Sequence, residues 1–176
     1  MEMFERITDT ARRAVWFARY DASLHGTPEI QPASLLPGIM EVDKNLIVAL
    51  LPAGADGYAR LWADAQALFA KPLQAVPPDT DLPLSRQTRR VLAWADDKAA
   101  RRPDPRIEPR HLLWGLLHEG GPLAACLNAH GITLETVDAG FPPTACQPDP
   151  GFRWSGFRRW IAGRLRPLTK LLVPHD

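Results

Sequence analysis

Cysteine is scarce in this chain of 176 residues: only Cys126 and Cys146 are present. Two thiols cannot make the disulfide framework of a small secreted scaffold, and neither belongs to the Cys-x-x-Cys pair of a structural zinc site. Such usage suits a reducing compartment. The opening Met-Glu-Met-Phe-Glu-Arg also lacks the apolar run of a signal peptide, so a cytoplasmic protein is expected. Long apolar runs are missing as well. No stretch of about 18 apolar residues occurs, which removes a membrane-spanning helix from consideration. Net charge is only +1, too little for the whole molecule to be drawn to nucleic acid. Nothing alternates with period two over a useful length, so strands have no signal.

Motifs that carry chemistry are equally thin. There is no Gly-x-x-x-x-Gly-Lys-Ser/Thr phosphate loop and no Gly-x-Ser-x-Gly nucleophile elbow. Ser23, Ser34, Ser85 and Ser155 have no base and orienting group nearby in sequence. Asp96 and Asp97 sit in a segment of mixed charge and read as a solvated helix face. His111 and His118 are seven residues apart, the wrong step for the i, i+4 pair of a zinc helix. His25, His130 and His175 fall near helix ends or in loops. We read no enzyme, no metal and no cofactor from these patterns.

What the chain does contain is a duplication. The segment from Thr8 to Gly54 returns from Ser85 to Gly131 at a constant offset of 77 positions, without a gap. Phe17-Ala18 is answered by Trp94-Ala95. Ile30, Pro32, Leu35, Leu36 and Gly38 recur as Ile107, Pro109, Leu112, Leu113 and Gly115, and Leu46, Leu50 and Gly54 recur as Leu123, Leu127 and Gly131. Apolar residues in each copy step by three and four, the period of amphipathic helices. Thr8 is placed to cap a first helix carrying Ala11, Ala14, Val15, Ala18 and Ala22, and His25-Gly26-Thr27-Pro28 stops it. A short helix follows from Pro32, a third from about Asp43 to Leu51, and a fourth from about Ala55 to Ala70. The second copy repeats the order from Ser85, Pro109, Pro122 and Leu134.

These boundaries predict an all-α fold: two roughly four-helix units packed as one pseudo-twofold bundle. Repeat 1 spans about 4–70 and repeat 2 about 84–140. Prolines 72, 77, 78 and 83 make 71–83 an extended linker. Each unit alone is too small to bury much surface, so the two are expected to share one core.

The repeated motifs resemble those of the N-terminal domain of the Clp unfoldases. The opening Phe-x-x-Thr-x-x-Ala with following basic and aliphatic residues appears as Phe4, Thr8, Ala11, Arg12, Arg13 and Val15. His111-Leu112-Leu113-Trp114-Gly115-Leu116-Leu117-His118-Glu119-Gly120 is similar to the family's second signature, and Leu127 with Gly131-Ile132 to its third. The resemblance covers about residues 4–140. It implies a bacterial, chaperone- or proteolysis-associated docking platform that does no chemistry and receives adaptors and substrates for an ATPase ring, here without the ring. It also bears on phosphoarginine, which some members bind through a threonine at the start of the first helix and a glutamate at the start of the second, in each repeat. The hydroxyls persist as Thr8 and Ser85, but the glutamate positions hold Ala33 and Arg110. Neither can accept a guanidinium fork as a carboxylate does.

Residues 141–176 form a proline-rich connector and a basic tail. From 152 onward there are six basic residues and one acid, a charge of +5 against −4 for the rest. Phe157, Trp160, Ile161, Leu165 and Leu168 step by three and four, with arginines on the other faces. Trp154, Phe157, Arg158, Arg159, Trp160 and Arg164 are its candidate contact residues. Three readings stay open: packing on the body, binding an acidic protein, and lying on an anionic membrane surface. For the body, a polypeptide partner is expected in the groove between the two first helices, near Thr8, Arg12, Arg13, Ser85, Arg89 and Arg90. That partner would be a Clp-type ATPase or one of its adaptors or substrates. The alternative is a peripheral membrane or scaffold protein acting through its tail. On the residues at positions 33 and 110, titration calorimetry of the wild-type chain with phosphoarginine is expected to show no micromolar binding.

Overall fold

The computed structural model describes residues 3–68, 76–77 and 81–140; the tail residues 141–176, including Trp154, Phe157, Arg158, Arg159, Trp160 and Arg164, lie outside the described residues. Nine helices occur among them: α1 Met3–Arg6, α2 Asp9–Leu24, α3 Pro32–Val42, α4 Lys44–Leu50, α5 Gly54–Ala67, α6 Arg86–Ala100, α7 Pro109–Glu119, α8 Gly121–Ala129 and α9 Leu134–Ala139. The fold is all-α, as expected, and α2–α5 and α6–α9 repeat one another in order.

Local chemistry sets the boundaries. Four helices start on a side chain that accepts from an amide three residues on: Thr8 from Ala11 (3.3 Å), Asp43 from Leu46 (3.0 Å), Ser85 from Thr88 (3.1 Å) and Thr133 from Thr136 (3.3 Å). Pro32 and Pro109 occupy first-turn positions, where a missing N–H costs nothing. Pro37 is different, because it lies inside α3. It supplies no amide to the carbonyl one turn earlier, a defect that α3 accepts while its whole middle, Ser34 to Met40, is buried. The expected fourth helix is shorter than the pattern suggested, ending at Ala67.

Within each repeat the first two helices pack closely because small residues meet. Ala11, Ala14, Ala18 and Ala22 line the buried stripe of α2. At Gly38 of α3 an added Cβ would stand 2.1 Å from the Ala14 carbonyl oxygen; at Gly115 of α7 it would stand 2.4 Å from that of Val91. Positions 38 and 115, and 14 and 91, differ by the repeat offset, so the same backbone contact is made twice.

The repeats are joined by a reciprocal exchange. Isolated parallel bridges pair Ile7 with Ile107 and Ile30 with Leu84. In the first, the Thr8 amide donates to the Ile107 carbonyl (2.9 Å) and the Ile107 amide to the Arg6 carbonyl (2.8 Å). In the second, Ser85 donates to Ile30 (3.1 Å) and Ile30 to Pro83 (2.8 Å). The leading segment of each copy thus pairs with the loop before the second helix of the other. Below these bridges α3 and α7 meet, and α5 meets α8. Leu35, Leu36, Ile39 and Met40 of repeat 1 and Leu112, Leu113, Leu116 and Leu127 of repeat 2 are fully buried in one shared core.

His111 is a buried polar residue whose protonation is coupled to folding. It is 2% exposed, and its Nδ1 accepts from the Glu108 amide at 3.1 Å in a capping box. Burial, with Arg102, Arg110 and Lys98 nearby, pushes its pKa down to about 4. The unfolded chain therefore takes up a proton that the folded chain refuses as pH falls from about 6.5 to 4, and stability falls with it. His25 works in the opposite sense. Its hydrogen bond to Asp21 raises its pKa, so its contribution is present at low pH and lost as pH rises through the folded value.

Two measurements check this account. Gly115→Ala should lower the free energy of unfolding by about 3 kcal/mol, because the methyl meets backbone. Gly140→Ala, with its nearest neighbour at 3.4 Å, should change it by less than about 1 kcal/mol in the same urea titration. His111→Gln keeps an acceptor for the Glu108 amide. It should abolish about 2 kcal/mol of the wild type's loss of stability between pH 7 and pH 5.

Candidate functional site

The first helices of the two repeats, α2 and α6, flank a cleft of about 230 Å³ whose lining is almost wholly apolar. Val15 and Trp16 of α2 and Leu92 of α6 line it, together with the bridge residues Ile7, Ile30 and Ile107; Arg12 and Arg19 complete it. Ile30 and Ile107 are equivalent positions in the two repeats, as are Val15 and Leu92. The cleft therefore straddles the pseudo-twofold relation. Its occupant would touch both copies.

The two sides are not alike. Trp16 is 38% exposed; among the described residues Leu68 is the other large apolar side chain left so exposed. Its ring stacks on Tyr20 (6.1 Å between centroids, 5° between planes) and meets Phe17 edge-on (5.5 Å, 82°). An indole braced in this way is a fixed wall, with apolar face toward whatever enters. Its counterpart at position 93 is an exposed alanine.

The arginines expected beside the groove separate into two kinds. Arg12 lines the cleft and is exposed, with an Asp9 contact at 3.2 Å across the solvated surface. Arg89 is its equivalent on α6, exposed and one turn before Leu92. Arg13 and Arg90, also equivalents, do not line the cleft; Arg90 pairs with Glu119 at 3.1 Å.

Thr8 and Ser85 face inward. The Thr8 hydroxyl donates to the Ile107 carbonyl at 2.9 Å besides capping α2. Ser85 is 3% exposed and bonded to the Thr88 hydroxyl at 2.9 Å, which donates to the Ile30 carbonyl at 2.6 Å. Both hydroxyls thus serve the bridges, directly or through one neighbour. Ala33 is half-buried at the start of α3, and Arg110 is half-buried at the start of α7. Desolvation pulls the Arg110 pKa down, while the carboxylates of Glu108 and Asp43 hold it up.

The sequence patterns did not single out Ile7, Trp16 or Leu92 as cleft residues. A signal was available for Ile7: it and Leu84 each precede a capping hydroxyl at the repeat offset. No comparable signal marks Trp16, because position 93 breaks the repeat there.

A second cleft, about 490 Å³ and of mixed polarity, lies where the α4–α5 turn meets the end of α8. His130 Nε2 contacts Asp64 there at 2.8 Å, joining the repeats at the surface. Cys126 is half-buried, and burial raises its pKa, with the Asp64 carboxylate adding to the effect. On another face of repeat 2, the His118 ring lies tilted against Trp94 (4.2 Å, 40°) and Trp114 (4.7 Å, 32°), and Lys98 lies 4.8 Å above the Trp114 ring. Among the described residues no group of three or more His, Cys, Asp or Glu is arranged to hold a metal ion, and no helix is long and apolar enough to cross a membrane.

Comparison with known proteins agrees with the duplicated helical architecture. The family model of the Clp repeat (R) N-terminal domain matches residues 6–130. Chaperone protein ClpB of Mycobacterium tuberculosis is 28% identical over 141 residues, 80% of this chain and 16% of that protein. Chaperone protein ClpB of Propionibacterium freudenreichii is 30% identical over 139 residues, 78% of this chain and again 16% of that protein. The chain thus spans about one sixth of the length of the curated relatives it matches. Among solved structures, the N-terminal domain of the chaperone ClpD from Arabidopsis thaliana superimposes with a TM-score of 0.54 at 21% identity, covering 77% of this chain and 92% of that one. A chain solved in work on a malarial protein secretion system gives 0.67 at 16% identity, covering 76% and 90%. These two show the shared fold. The family generally mediates protein interactions in Clp chaperones. With the family match running through both repeats, the chain belongs to the Clp repeat N-terminal domain family.

Proposed function

We propose that this chain is a non-catalytic receptor for polypeptide, and that the cleft between α2 and α6 receives an apolar segment of its partner. The observation that carries the reading is the apolar cleft itself, lined from both repeats and walled by a half-exposed tryptophan. Burying one large apolar side chain there contributes about 1.5–3 kcal/mol, enough to favour flexible segments with such side chains over polar ones. The partner is a Clp-type ATPase, or an adaptor or substrate of such a system. The chain either recruits cargo to the ATPase or competes with the ATPase's own N-terminal domain. Phosphoarginine is not its ligand, because Arg110 and Ala33 stand where carboxylates would be needed.

The basic, aromatic composition of residues 152–176 favours a second reading, attachment to an anionic membrane surface through the tail. Two experiments decide. Co-purification from the native cell should enrich a Clp ATPase, adaptor or substrate, recovered uncleaved, and Trp16→Ala should reduce that recovery several-fold. Undiminished recovery with the variant overturns the role of the cleft. Flotation of the full chain with anionic vesicles, lost on truncation after Pro150, would favour the membrane reading.

A further inference from the structure

We infer that the segment received by the cleft carries a large apolar side chain flanked by carboxylates, with the apolar side chain seated against Trp16 and the carboxylates meeting the arginines of α2 and α6; this rests on the reading of the cleft as a polypeptide site. The first part follows from the asymmetry of the walls. Val15 with Leu92 and Ile30 with Ile107 are equivalent pairs in the lining, but Trp16 lines the cleft while its repeat-2 equivalent, Ala93, does not. The indole, its ring held by Tyr20 and Phe17, therefore offers one wall of the cleft a broad apolar surface that the other lacks, and a large apolar side chain covers it best.

The second part follows from charge. Arg12 and Arg19 line the cleft, and the repeat relation places Arg89 beside Leu92 as Arg12 lies beside Val15. The first turn of α6 contains no acid and starts with Arg86, so its positive helix end is reinforced rather than offset. The position equivalent to Arg19 is Asp96, which would balance the charge, but Asp96 is bound by the guanidinium of Arg6. Asp9 is the acid in the first turn of α2, and its contact with Arg12 at 3.2 Å is between side chains 72% and 60% exposed. Such a surface pair exchanges readily with a partner's carboxylate. An apolar slot with a cationic rim selects acidic flanks and rejects basic ones.

The test uses the full chain and labelled twelve-residue peptides, capped at both ends, followed by fluorescence anisotropy. One has a central Phe among Asp and Glu; one has the same Phe among Lys; one has Ala at the centre of the acidic sequence. The acidic Phe peptide should bind about tenfold more tightly than the Lys version, with the gap closing as salt rises from low to moderate concentration. Trp16→Ala should weaken the acidic Phe peptide about tenfold and leave the Ala peptide unchanged. Arg12→Glu with Arg89→Glu, both surface changes whose folding a thermal melt checks, should invert the charge preference. Equal or better binding of the Lys peptide, or a preference that survives the double variant, overturns the inference. If both Phe peptides bind equally and both are lost in Trp16→Ala, the cleft still receives polypeptide and only the charge selection fails. If neither Phe peptide exceeds the Ala peptide, the reading of the cleft fails with it.

Discussion

The structure hangs on a reciprocal loan of backbone. Four hydrogen bonds of 2.8–3.1 Å tie the leading segment of each repeat to the loop before the second helix of the other. These are the orphan groups that lie outside helices, and burying them without partners would cost about 1–3 kcal/mol each. Because the pairing crosses between copies, neither repeat can pair these groups by itself. The same residues that make the bridges, Ile7, Ile30 and Ile107, also line the apolar cleft. Integrity of the fold and shape of the site are thus one constraint.

A second constraint is contact between helix backbones. Gly38 against Ala14 and Gly115 against Val91 bring α3 onto α2 and α7 onto α6 more closely than any side chain would allow. That closeness fixes where α2 and α6 stand, and so the width between Trp16 and Leu92. The cleft between them has an apolar lining edged by Arg12 and Arg19.

Much of this was legible in the sequence. The cap expected at Thr8 is observed, and the short polar side chains of Asp43, Ser85 and Thr133 cap three further helices in the same way. The 77-residue offset predicted two similar helical units with a shared core, and one continuous core is observed. What stayed hidden had physical reasons. Single-residue bridges have no periodicity, so no pattern of alternation announces them. Pro37 argues locally against the helix that contains it, and only burial of the surrounding α3 residues explains its tolerance. Thr8 and Ser85 are polar residues at a conspicuous repeat position, yet they point into the bridges. Trp16 was concealed because the duplication does not preserve it. The tail's amphipathic pattern belongs to residues outside those described.

The exchange of segments between equivalent halves has a meaning for ancestry. One copy meeting another identical copy would form the same two bridges, each offering the same patch to its mate, which is the geometry of an isologous dimer. Fusion through a linker makes that meeting intramolecular, with the partner always present at high effective concentration. It also releases each half from having to match the other. Trp16 opposite Ala93, Arg19 opposite Asp96, and Trp114 where repeat 1 has Pro37 are differences that no homodimer encoded by one gene could hold. Covalent joining thereby lets the two halves of a symmetric pair diverge, so that the two sides of the cleft are no longer alike.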